Sequence, residues 1–191
     1  MDKPKIVVAT SNEGKLKEIG EILSDYQILS IKDFDLNIDI LEDAETFEGN
    51  ALKKATELSK ILKIACIADD SGICIKALNG FPGIYTARWM SGTAKEHNIK
   101  ILEKMQNIPK SERQCSFVTA IALVDTTKSI SIVKVHTLNG SISTEIRGEN
   151  GFGFDQIFEL ENGKTLGELS SEEKNVLSPR RFALEEIRKE L

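Results

Sequence analysis

The chain lacks most of the features that would place it outside ordinary soluble globular proteins. No apolar run approaches the roughly 18 residues a membrane helix needs, and Met1-Asp2-Lys3-Pro4-Lys5 leads straight into a short apolar strand without a signal-peptide core. The expectation is therefore a protein with no membrane anchor. Cysteine is sparse. Cys66, Cys74 and Cys115 are odd in number and show neither CxxC nor Cys/His metal spacing, which excludes a disulfide framework and a zinc module. They read as buried thiols in a reducing cytoplasm. Positive charge is not in excess: the formal net charge of −5 argues against a general nucleic-acid binder, which carries a basic face. A local cluster of Lys and Arg can still hold a small anion, because distant charges are screened beyond about 8 Å. Repeats, low-complexity tracts and linkers are absent. At 191 residues, 40% of them hydrophobic, the chain is expected to be one domain spanning 1–191, or two lobes sharing a core.

What is present centres on Ile67-Ala68-Asp69-Asp70-Ser71-Gly72. An apolar run ends in two carboxylates and then a Ser-Gly pair, which predicts a strand stopping in a turn. A rigidly held carboxylate pair at a strand end can seat a hard cation. Side chains alternate faces along a strand, so Asp69 and Asp70 are expected to do different jobs. The plain alternative is an Asp-rich turn between two strands.

Taken in order, Lys5–Ala9 reads as a buried strand. The polar loop Thr10-Ser11-Asn12-Glu13-Gly14-Lys15 follows, then a helix with Leu16, Ile19 and Leu23 on one face, capped by Ser11 or Asn12. Such a loop offers N–H groups and a positive dipole end to phosphate. Lys15 sits where the dipole disfavours a cation, so an anion nearby would explain it; a solvated lysine is the alternative. The GxxxxGK[ST] pattern is missing, so this is not a Walker A loop. Residues 28–40 read as a strand and its approach. An acidic loop containing Glu42 precedes a helix capped by Thr46, with Phe47, Ala51, Ala55, Leu58 and Leu62 on its buried face. Lys54 lies early in that helix. Ile73–Ile75 reads as a further strand. The twelve residues Leu78–Trp89, with Asn-Gly and Pro-Gly pairs, an Arg and three aromatics, read as a functional loop. A helix over Ala94–Met105 leaves His97 at the surface.

Cys115–Val124, Ser129–Thr137 and Gly140–Ile146 read as three strands of an antiparallel meander, with His136 structural. The glycine-aromatic stretch Gly148–Phe158 can bring backbone close to a flat ligand and stack an aromatic ring on a base, or can be a corner with its phenylalanines in the core. A short helix covers Ser171–Leu177, and Ser178-Pro179 starts the last one, with Ala183, Leu184, Ile187 and Leu191 buried. Lys174, Arg180 and Arg181 form a basic cluster at that junction.

Six of these stretches, in order along nearly the whole chain, resemble the non-canonical purine nucleoside triphosphate pyrophosphatases, which act on inosine and xanthosine triphosphates and their deoxy forms. They are Ala9–Lys15; Thr46–Ala51 with Lys54-Ala55; Ala68–Gly72; Asn79–Arg88; Gly151–Asp155; and Glu173–Arg180. The resemblance implies an α/β fold, two-lobed, with a long mixed β-sheet flanked by helices and a central substrate cleft. It implies a homodimer, and Mg²⁺-dependent release of pyrophosphate. By position, Thr10, Ser11, Asn12 and Lys15 would hold the triphosphate with Lys54 nearby, and Glu42 and Asp70 would serve the metal. Ser71 would sit beside the catalytic carboxylate; Asp70 is expected as principal metal ligand or base with Asp69 as its helper, and the sequence leaves open which of the two abstracts the proton. Phe152 would stack on the base, and Gly153, Phe154, Asp155, Lys174 and Arg180 would line the base and phosphate pocket. Arg180, a donor only, is the expected partner of the purine O6. Two departures stand out. Pro179 occupies the place of the family's usual histidine, which predicts weaker base discrimination, and Gln156 replaces a proline. The rival readings are a pyrophosphatase of broader or pyrimidine triphosphate specificity, and a nucleotide-binding module without turnover.

Overall fold

The computed structural model describes residues 3–34 and 40–191. β1 (Lys5–Val8) leads to α1 (Glu13–Ile22), β2 (Gln27–Ser30) and α2 (Phe47–Leu62). β3 (Cys66–Ile75), α3 (Ala94–Lys104), β4 (Gln114–Asp125) and β5 (Ile130–Ile142) follow. The chain closes with β6 (Phe158–Glu159), α4 (Ser171–Leu177) and α5 (Pro179–Arg188). The strands form one six-stranded sheet in the order β2-β1-β3-β4-β5-β6. It is mixed: β1 runs parallel to β2 and β3, and β5 is antiparallel to β6.

The residues group into two compact units, each with its own core. The first comprises Met1–Asp70, Thr119–His136 and Pro179–Leu191. Its core joins Ile6, Val8, Ile67, Ile121 and Leu123 of the strands to Ile19 and Leu23 and to Ala183, Leu184 and Ile187 of the helices. The expected helical faces are thus the buried ones, except that Leu191 lies past the end of α5 and is exposed. The second unit comprises Ser71–Val118 and Thr137–Ser178, packed around Ile73, Ile75, Ile101, Met105, Phe154, Ile157 and Phe158. Buried Arg113 holds it together through backbone carbonyls: Nε donates to Ile142 at 2.8 Å, Nη1 to Met105 at 2.6 Å and Nη2 to Ser143 at 2.7 Å.

Three expectations about strands need correction. The Asp-Asp-Ser-Gly stretch is not a turn. β3 runs unbroken through it as an interior strand of the six-stranded sheet, because tertiary context overrides local turn preference. The strands expected at Ser129–Thr137 and Gly140–Ile146 are one, β5, which ends at Ile142. Gly140 serves close packing, because a Cβ there would stand 2.6 Å from the Glu159 carbonyl and from the Phe158 ring. Gly140→Ala is therefore expected to destabilise the protein by about 1–3 kcal/mol, the usual cost of overpacking, read as a fall in the urea midpoint at unchanged m-value. Finally, β2 ends at Ser30 in a short 3₁₀ turn (Ile31–Asp33); the remainder of the strand expected to reach residue 40 falls mostly outside the described residues.

Candidate active site

β3 carries the chemistry of the first unit. Asp69 and Asp70 are both buried, and the alternation of the strand sends their side chains to different partners. Asp69 Oδ1 accepts from the Lys15 ammonium, and Asp69 Oδ2 accepts from Arg180 Nε at 2.8 Å. Arg180 Nη1 also donates to Glu18. Burial alone would raise the Asp69 pKa, but the Arg180 and Lys15 charges outweigh it and hold the carboxyl well below its usual range. The same burial lowers the Lys15 ammonium despite Asp69 beside it. Asp69 is thus a fixed anion between two cations.

Asp70 faces α2. Its Oδ2 accepts from Asn50 Nδ2 at 3.1 Å, and its Oδ1 lies 3.7 Å from Lys54 Nζ. Burial pushes this carboxyl up to about 6 against the pull of Lys54, and the neighbouring Glu42 charge adds to the rise. Lys54 Nζ in turn donates to Glu42 Oε1 at 2.5 Å and to the Asp69 backbone carbonyl at 2.8 Å. Asn50 Oδ1 accepts from Ala44 N–H at 3.0 Å and so ties the acidic loop to the same helix face. Two carboxylates and a carbonyl therefore converge on one cationic position. That is an all-oxygen set of the kind hard divalent ions take. Among the described residues no group of three or more His, Cys, Asp or Glu could hold a metal alone.

α1 supplies the loop expected for phosphate. Asn12 is its N-cap, its Oδ1 accepting from Lys15 N–H at 3.1 Å, and Thr10 Oγ1 accepts from Asn12 N–H at 3.2 Å. Ser11 is exposed beside them.

The second unit holds the aromatic loop. Lys174 Nζ lies 4.2 Å from the centre of the Phe152 ring and donates to Asp155 Oδ2 at 2.8 Å. Asp155 Oδ2 also accepts from Phe152 N–H at 2.7 Å. The carboxylate can approach because Gly151 has no side chain, and a Cβ there would meet it at 2.1 Å. Gly153 turns the chain with a positive φ of 63°. Ser71, half-buried, continues β3 after Asp70.

Several expected residues behave differently. Phe154 is 3% exposed and packs in the core, against His97, so its ring is not a stacking surface for a ligand. His97 is not a surface residue: it is half-buried between Trp89 and Phe154. Lys174, Arg180 and Arg181, expected as a basic cluster, each meet a carboxylate: Asp155, Asp69 with Glu18, and Glu185. Arg180, expected at the purine O6, donates through Nε to Asp69 and through Nη1 to Glu18. Glu18 and Asn50 escaped the sequence reading. Their signal was spacing: Glu18 lies three residues after Lys15 on α1, and Asn50 lies four before Lys54 on the buried stripe of α2.

The Ham1 family model matches residues 6–190. The dITP/XTP pyrophosphatase of Clostridium perfringens is 40% identical over 98% of this chain and 97% of its own length. That of Bacillus cereus is 41% identical over 98% and 94%. The solved structure of the Staphylococcus aureus Ham1 protein superposes with a TM-score of 0.86 at 36% identity, covering 97% of this chain and 96% of that one.

Proposed function

We propose, because the chain belongs to the Ham1 family and carries the charged clusters described above, that it hydrolyses ITP, dITP and XTP to the nucleoside monophosphate and pyrophosphate. One observation carries the reading. Glu42, Asp70 and the Asp69 carbonyl surround a single cationic position, within a unit that also presents Lys15 at a helix N-terminus. Glu42 and Asp70 would hold Mg²⁺. When bound, that ion supplies charge neutralisation of the polyphosphate and acidification of coordinated water. Mg²⁺ takes few carboxylates and fills its shell with substrate oxygens and water, which suits a pair such as Glu42 and Asp70.

Asn12, with Thr10 and Ser11, places the α1 N-terminus for a phosphate, and Lys15 and Lys54 supply positive charge. Proton abstraction from the attacking water falls to Asp70 rather than Asp69. Asp69 is held by both Lys15 and Arg180, whereas Asp70 accepts from the neutral Asn50 amide and lies beside the oxygens that would hold the metal and its water. In the second unit, Phe152 offers its ring to the base. Lys174, steered by Asp155, is the donor-only group beside that ring and favours a carbonyl O6 over an amine. Arg180 positions Asp69. The family likeness also supports a cytoplasmic homodimer.

A nucleotide panel scored for pyrophosphate against orthophosphate, with and without Mg²⁺, tests this. Inosine and xanthosine triphosphates should release pyrophosphate, and only with the metal; orthophosphate, or cleavage in chelator, would contradict it. Because Pro179 replaces the usual histidine, ATP turnover is expected within about tenfold of that with ITP, whereas a gap of about a thousandfold would reject relaxed selectivity.

A further inference from the structure

We infer that Lys54 is a placeholder for the divalent ion: its ammonium occupies the metal position in the nucleotide-free protein and leaves only when a polyphosphate arrives to receive it. The inference rests on the reading of Glu42 and Asp70 as the metal-holding pair. Lys54 Nζ stands 2.5 Å from Glu42 Oε1, 2.8 Å from the Asp69 carbonyl and 3.7 Å from Asp70 Oδ1. These oxygens come from the acidic loop and from β3, and α2 delivers the ammonium to their common point. The arrangement is fixed by more than the lysine. Asn50, one turn earlier on α2, binds both Asp70 and the backbone of the acidic loop.

Two cations cannot share that point. Like charges a few ångströms apart repel strongly in a poorly solvated site, and the Lys54 side chain is only 11% exposed. A divalent ion therefore enters only if the ammonium moves, and a displaced ammonium needs a new anion. The triphosphate is that anion. Metal and nucleotide must then bind with positive coupling, and by linkage each strengthens the other. The device keeps the ion from settling in a form of the site without substrate.

The test measures Mn²⁺ binding by loss of its free EPR signal, in nucleotide-free protein. Wild type should bind weakly, and Lys54→Gln at least tenfold more tightly. Adding Asp70→Asn to Lys54→Gln should return binding to the weak level. Circular dichroism melts check that the variants fold. If they do not, the wild type decides alone: its Mn²⁺ affinity should rise at least tenfold with inosine triphosphate bearing a methylene in place of the α–β bridging oxygen, beyond what that analogue binds in buffer. Equal Mn²⁺ affinity in wild type and Lys54→Gln, tight binding to nucleotide-free wild type, or tight binding that survives loss of Asp70 would overturn the placeholder. Failure of the underlying reading looks different: wild type would release no pyrophosphate from any nucleotide and bind no Mn²⁺ even with the analogue.

Discussion

Asp70→Asn is expected to lower pyrophosphate release by about a thousandfold, within the range that general-base groups contribute, while nucleotide binding in the absence of metal is retained. The same change should make the metal-free protein more stable at pH 8. Burial raises the folded-state pKa of Asp70 to about 6 from an ordinary value near 3.8, so the folded state binds the proton more tightly than the unfolded chain. Between these values stability falls as pH rises. Above pH 6 the ionised carboxylate costs its full amount, on the order of 2–3 kcal/mol. Below pH 4 both states are protonated and the cost vanishes. Thermal melts in chelator should therefore show Asp70→Asn ahead of wild type by about 5 °C at pH 8 and level with it below pH 4. Wild-type turnover in this variant would remove Asp70 from the mechanism.

Asp69→Asn, one residue earlier, should act in the opposite sense. Asp69 neutralises both Lys15 and Arg180 in a site where its own side chain is fully buried. Removing its charge takes from Lys15 the carboxylate it donates to and leaves Arg180 with Glu18. Breaking a buried pair by deleting one partner costs about 3–5 kcal/mol. A drop of about 10 °C in melting midpoint at pH 7 is expected. Because the folded-state pKa of Asp69 is depressed, its stabilisation is present above the unfolded value near 4 and is lost as pH falls further. The penalty of the substitution should therefore shrink in acid. Adjacent carboxylates giving stability effects of opposite sign would be hard to obtain unless strand alternation separates their surroundings.

Much of this was legible in the sequence, and the reasons are local. Asn12 and Thr46 cap α1 and α2 as their side-chain chemistry predicts, and Ser178-Pro179 starts α5. The different partners of Asp69 and Asp70 followed from period-two geometry alone. What failed was governed by distant partners. Ser71-Gly72 and Asn139-Gly140 carry turn residues yet lie in strands. In the first case β3 continues as an interior strand of the sheet, and in the second Phe158 and Glu159 need the space. Arg180 could be read as a cation at a helix start, but its commitment to Asp69, 111 positions away in sequence, is a tertiary fact. The pairing of Phe152 with Lys174 is tertiary too, and no spacing rule reaches it.

The most direct test of the central claim is anomalous diffraction at the manganese edge from crystals grown with Mn²⁺ and the methylene analogue of inosine triphosphate. One manganese peak should lie between the carboxylates of Glu42 and Asp70, with the Lys54 ammonium moved off those oxygens and onto phosphate. A nucleotide bound with its manganese remote from both carboxylates, Lys54 still on Glu42, would contradict the account.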